Sequence, residues 1–98
     1  MQIKTHEAYR TIVALCDSDL IGKTFEEGIR QIELTTNFFQ GEEKTEPEIL
    51  EIIETGCAED YTFNIVGEDS IKVALKSGII DNKGIVRIQG IPIALVLL

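Results

Sequence analysis

The segment Tyr61-Thr62-Phe63-Asn64-Ile65-Val66-Gly67-Glu68-Asp69-Ser70-Ile71-Lys72-Val73-Ala74-Leu75-Lys76-Ser77-Gly78 changes periodicity halfway along, and that change decides the fold class. Tyr61, Phe63 and Ile65 alternate with Thr62 and Asn64, which predicts a strand. From Gly67 the pattern turns helical. Glu68 and Asp69 suit the positive end of a helix dipole, Lys72 and Lys76 suit its later turns, and Gly78 can close it with Ile79 packed back on Ala74. A strand that feeds a helix directly requires a sheet with helices laid against it.

Working upstream, Thr45 and Glu48 form a capping box, Pro47 stands in the first turn and Gly56 is available for a left-handed C′ position, which predicts a helix over Glu46 to Thr55. Ile49, Ile52 and Ile53, widened by Leu50, make its apolar stripe, while Glu48, Glu51 and Glu54 line the wet side. Met1 to Thr5 and Arg10 to Cys16 read as strands, the second apolar on both faces and therefore central. Ile29 to Thr35 alternates as a half-buried strand, and Asn37 through Lys44 connects it to the helix. Downstream, Asp81 to Gly84 is a turn, and Ile85 to Gln89 and Ile93 to Leu98 are strands separated by Gly90-Ile91-Pro92. The expected fold class is α+β: one domain over residues 1–98, a mixed, mainly antiparallel sheet of about six strands with two helices.

Ninety-eight residues leave room for one core, and 44 % hydrophobic with 27 % charged residues is a globular composition. Seventeen Asp and Glu against nine Lys and Arg give a net charge of −8, the wrong sign for a surface that neutralises nucleic-acid phosphates. The N-terminus lacks the apolar core of a secretory signal, and the longest apolar run, Ile93 to Leu98, is far below the ~18 residues of a membrane span, so a cytoplasmic protein with no membrane association is expected. Cys16 and Cys57 form no CxxC pair and His6 is the single histidine, which argues against structural zinc and for two free thiols.

Gly22-Lys23-Thr24 has the ending of a phosphate-binding P-loop, but Asp17 stands where its first glycine belongs and Asp19 adds a negative charge where an anion would sit. What survives is a polar cluster of Cys16, Asp17 and Lys23 beyond the end of a central strand, in a loop from Asp17 to Thr24 turned by Gly22. Asn64 to Gly67 leads into a helix N-terminus, whose amides can hold a phosphate or carboxylate, although Glu68 and Asp69 already occupy that field. Cys16, Asp17, Gly22, Lys23, Thr24, Asn64 and Gly67 are therefore the candidate ligand- or partner-binding residues. The acids from Glu42 to Glu54 read as a solvated helix face, not as a metal site, and His6 as a surface residue of an edge strand. Nothing marks a catalytic residue or a cofactor.

In order along the chain, Cys16-Asp17 with Leu20, Gly22-Lys23-Thr24-Phe25 with Gly28, Phe38-Phe39-Gln40-Gly41, Asn64-Ile65-Val66-Gly67-Glu68 with Ala74 and Gly78, and Ile88-Gln89-Gly90-Ile91-Pro92 resemble the small archaeal family called domain of unknown function 424. The resemblance covers nearly the whole chain and implies an archaeal cytoplasmic protein of α+β fold, with no activity to carry over. Phe39 stands where the family often has Tyr, and Ile93 where a His often follows the proline.

The expected function is binding of a protein partner as a non-enzymatic accessory factor. An RNA-associated role in translation would need Lys4, Arg10, Lys23 and Arg30 gathered on one face, and a small-molecule site or enzyme would need a pocket at the Asp17 to Thr24 loop. Ile93 to Leu98 shows no polar alternation, so it is expected to be covered on both faces, by the chain's own helices or by a second copy. A homodimer is the favoured cover, because two helices are few for the sheet. Replacing Leu95 and Leu97 together by Ala should then unfold the chain.

Overall fold

The computed structural model describes residues 1–97. Eight strands and three helices follow one another as β1 (Gln2–His6), β2 (Ile12–Cys16), β3 (Thr24–Glu27), β4 (Arg30–Glu33), α1 (Thr36–Phe39), β5 (Glu42–Glu43), α2 (Glu46–Ala58), β6 (Thr62–Val66), α3 (Glu68–Ser77), β7 (Val86–Ile88) and β8 (Ile91–Leu97). Single 3-10 turns occupy Ser18–Leu20 and Asn82–Gly84. The main sheet has six strands in the order β5-β1-β2-β6-β8-β7, with β2 and β6 parallel and the other neighbours antiparallel, so the fold is α+β with a mixed, mainly antiparallel sheet. β3 and β4 form a separate hairpin.

The two faces of the sheet are covered unequally. On one face, Ile3, Val13, Leu15, Phe63, Ile65, Ala94 and Val96 pack with Ile49 and Ile53 of α2 and Ile71, Val73 and Ala74 of α3. On the other, Ala14, Cys16 and Val66 are covered by Leu20, Leu34 and Phe39 with the half-buried Phe25 and Ile32 of the hairpin, and Thr62 and Ile88 are also buried. His6 and Lys4 pin α1 to this face. The His6 ring stacks on Phe38 with centroids 4.6 Å apart and its Nε2 lies 2.8 Å from the Phe38 carbonyl, while Lys4 Nζ donates to the Asn37 carbonyl at 2.7 Å. The Asn37 carbonyl belongs to the last turn of α1, where the Lys4 ammonium is a favoured donor.

Several expectations are corrected. The Asn37 to Lys44 connection holds a third helix, α1, because Thr35 accepts the Phe38 amide as an N-cap, and Glu42–Glu43 then adds a short edge strand to β1. Thr24–Glu27 is a strand, and Ile29 is no strand start but the fully exposed tip of its hairpin with β4. The capping box at Thr45 forms as expected, with Glu48 accepting the Thr45 amide at 3.0 Å, but α2 runs through Gly56 to Ala58. Gly56 is buried inside the helix because a side chain there would strike the Phe63 ring 2.3 Å away. Ile91 and Pro92 belong to β8, and the turn is Gln89-Gly90, both with positive φ as a two-residue hairpin turn of type I′ requires.

In β8 one of the two expected covers is corrected. Its sequence does not alternate but its burial does: Ala94 and Val96 face the helices, whereas Leu95 is 59 % and Leu97 73 % exposed. The chain's own helices cover one face only, and Leu98 lies outside the described residues. The double substitution Leu95→Ala with Leu97→Ala is therefore expected to leave the chain folded, since neither side chain packs in the core of the single chain. Thermal unfolding followed by circular dichroism checks this.

Candidate functional site

β2 ends at Cys16, and the amide of the next residue, Asp17, donates to the Val66 carbonyl at 3.1 Å, which sets the end of β2 beside the end of β6. The chain then turns away through the 3-10 turn, leaving the Asp17 side chain directed at the start of α3. There Asp17 Oδ1 accepts the Ser70 amide at 2.8 Å and the Ser70 hydroxyl at 2.7 Å, and Oδ2 accepts the Asp69 amide at 3.1 Å. Asp17 is 8 % exposed and Ser70 fully buried. The cap of α3 thus comes from a residue fifty positions earlier, since Gly67, the local N-cap position, has no side chain to offer.

Gly67 is glycine for a reason visible in this geometry. Its φ is +109°, and a Cβ there would stand 2.3 Å from the Asp17 carboxyl carbon. The anion field read at Asn64 to Gly67 is real, but its occupant is the protein's own Asp17 carboxylate.

The other candidate residues do not converge on this point. Gly22, with φ +89°, lets its amide reach the Leu34 carbonyl at 2.6 Å. The Lys23 amide donates to the Leu20 carbonyl, and the Lys23 carbonyl accepts the Leu34 amide. The loop is thereby stitched to the end of the hairpin as a turn, and Lys23 and Thr24 project from its exposed side. Asn64 is half-buried opposite Ala14 and Leu95, on the sheet face away from α2 and α3. The structure brings together Cys16, Asp17 and Gly67, and separates from them Lys23, Thr24 and Asn64.

Cys16 is poorly placed to act as a nucleophile. Burial, reinforced by the negative charges of Asp17 and Asp19, pushes its thiol up to about 12, and Sγ lies 3.4 Å from the Asp17 carbonyl. Both cysteines are free, Cys16 buried and Cys57 exposed. A thiol reagent at pH 8 is therefore expected to modify one cysteine rapidly in the folded chain and both after denaturation. Because an unfolded thiol ionises near 9.0 while the folded one waits until about 12, the unfolded state is favoured progressively as pH rises through that window. Among the described residues no three His, Cys, Asp or Glu side chains are grouped to hold a metal ion, and no helix is long and apolar enough to cross a membrane.

A different surface, outside the candidate site residues, stands out. Among the described residues, five large apolar side chains are exposed: Tyr9, Ile29, Val86, Leu95 and Leu97. The register places three of these on one face at one corner. Val86 opposes Ile93, and Leu95 and Leu97 follow Ile93 at alternate positions, with Asn64 beside Leu95. The signal was the unbroken apolar run from Ile93 to Leu98, expected to be covered by the chain's own helices or by a second copy.

The profile of a family described as "Protein of unknown function (DUF424)" matches residues 5–98. The chain belongs to the DUF424 family. A crystal structure of an uncharacterised conserved protein from Methanopyrus kandleri superimposes on this DUF424 chain with a TM-score of 0.83 at 21 % sequence identity, covering 98 % of this chain and 90 % of that one. At that identity the likeness establishes a common fold. No curated protein matches the DUF424 chain.

Proposed function

We propose that this chain is a non-enzymatic accessory protein of an archaeal cytoplasm that acts through a protein partner, docked on the corner formed by Val86, Leu95 and Leu97. One observation carries the reading: three large apolar side chains, 44 %, 59 % and 73 % exposed, share one open face at one edge of the sheet. Monomeric proteins tend not to leave such side chains contiguous, and complete burial of a leucine contributes about 1.5–3 kcal/mol. The Asp17 to Thr24 loop supports catalysis poorly, since the Cys16 thiol that precedes it is buried and hard to ionise and the Asp17 carboxylate is already committed to α3. A role on RNA is opposed by the net charge of −8, and Lys4, one of the cations it would need, already donates to Asn37.

An affinity-tagged chain recovered from its native cells tests the reading. Leu95→Glu, which keeps the fold because the site is exposed, should reduce co-purifying protein about tenfold or more, the equivalent of ~1.4 kcal/mol. Unchanged recovery would remove the corner from consideration, and a loss with Lys23→Ala instead would move the site to the Asp17 to Thr24 loop. No appreciable RNA binding is expected at ~150 mM salt. Salt-sensitive micromolar binding in fluorescence anisotropy would replace the protein-partner reading with the translation one.

A further inference from the structure

The edge next to Leu95 and Leu97 is open in its backbone as well as its side chains. β7 pairs with β8 only from Ile91 to Ile93, whereas β6 follows β8 on the other side from Ile93 to Leu97. Ala94 to Leu97 thus has a strand neighbour on one side, and among the described residues none on the other. The segment from Gly78 to Gly84 stands off from this edge, leaving a groove of about 390 Å³ lined by Ile79, Ile80 and Asp81 against Leu95, Val96 and Leu97. Edge strands in stable proteins are blunted by a lysine, a proline, a bulge or a covering loop. Ala94-Leu95-Val96-Leu97 carries no charge and no proline.

We infer that the occupant of this edge is a second copy of the same chain, with the two β8 strands paired antiparallel about a twofold axis at Val96. The inference rests on the docking reading above and names its partner. Charge selects the occupant. Gly90 to Leu98 contains no ionisable side chain in a chain of net charge −8, so two copies can meet there without bringing like charges together. A foreign segment with charged side chains would lose hydration in this groove, where the one ionisable wall residue, Asp81, already accepts the Lys83 and Gly84 amides. An uncharged strand of branched side chains satisfies the edge, and β8 is such a strand.

Geometry selects the register. An axis at Leu95 would require Ile93 to pair outward, but Ile93 already pairs with Val86. An axis at Val96 leaves β7 in place and sets Leu95 of each copy opposite Leu97 of the other, on the open face. Directly opposed side chains in an antiparallel pair are about 4.5–5.5 Å apart at Cβ, so four leucines form a continuous apolar row across the axis. Val96 stays on the helix-covered side, and the two sheets become one.

Light scattering of the purified full chain at micromolar concentration should give twice the monomer mass. Leu95→Glu and Leu97→Lys, each at an exposed position and each confirmed folded by circular dichroism, should return the mass to that of the monomer. Mixing the two variants should restore the doubled mass, because this register places the two introduced charges opposite each other. A wild-type chain that stays monomeric overturns the inference, as does a dimer indifferent to both substitutions or a mixture that fails to recover. If the chain is monomeric but Leu95→Glu still loses its co-purifying protein from native extract, the dimer is wrong and the docking surface stands. If neither effect is seen, both fail.

Discussion

Asp17→Ala is expected to destabilise the chain by about 3 kcal/mol, a large share of the roughly 5–10 kcal/mol available to a domain of this size. The substitution removes three hydrogen bonds to a carboxylate at once, those from the Ser70 amide, the Ser70 hydroxyl and the Asp69 amide. Bonds to a charged acceptor contribute ~1.5–3 kcal/mol singly but not additively, and loss of a helix cap alone costs ~1. Ser70 decides the total, because it is fully buried and its hydroxyl has no water to turn to. Asp17→Asn should cost less, about 1–2 kcal/mol, since one oxygen can still serve Ser70 while its amide group faces the Asp69 N–H donor to donor. Urea unfolding should rank the chains wild type, then Asn, then Ala, with the Ala midpoint lower by about 2 M at a slope near 1.5 kcal/mol/M. Equal midpoints would mean that the β2 to α3 link contributes nothing to stability.

That link shows where sequence reading stops. Local signals were legible because their causes are local. Thr45 and Glu48 cap each other across three residues, Gly78 takes its left-handed turn at the end of the helix it closes, and the apolar run before Cys16 marks a central strand. Cys16, Asp17 and Gly67 were also identified as candidates, but the bond that joins Asp17 to Ser70 spans 53 positions, and no spacing rule reaches across it. Gly56 failed for the same reason: read as a helix terminator, it is a packing glycine whose cause is the Phe63 ring on another element. β8 is a different case. Alternating burial normally prints itself as alternating polarity, yet Leu95 and Leu97 are apolar and exposed. A pattern of residue types can report what a position prefers, but only the register shows whether the chain itself supplies the cover.

Gly67→Ala should destabilise the chain by about 4 kcal/mol or more. Two penalties combine. A φ of +109° with ψ of 156° is essentially closed to residues with a Cβ, which costs on the order of 1–3 kcal/mol. The new methyl group would also stand 2.3 Å from the Asp17 carboxyl carbon and 2.5–2.6 Å from its oxygens, so the carboxylate must leave and its three bonds to α3 go with it. The second penalty exists only while Asp17 is present, which makes it separable. In a cycle with Asp17→Gly, the double variant should be more stable than the sum of the single effects predicts by about 2 kcal/mol, because the clash and the lost cap are then counted once. Additive effects would show that Gly67 is required for its backbone conformation alone. A coupling of the expected size would show that Gly67 is a glycine because Asp17 is the cap.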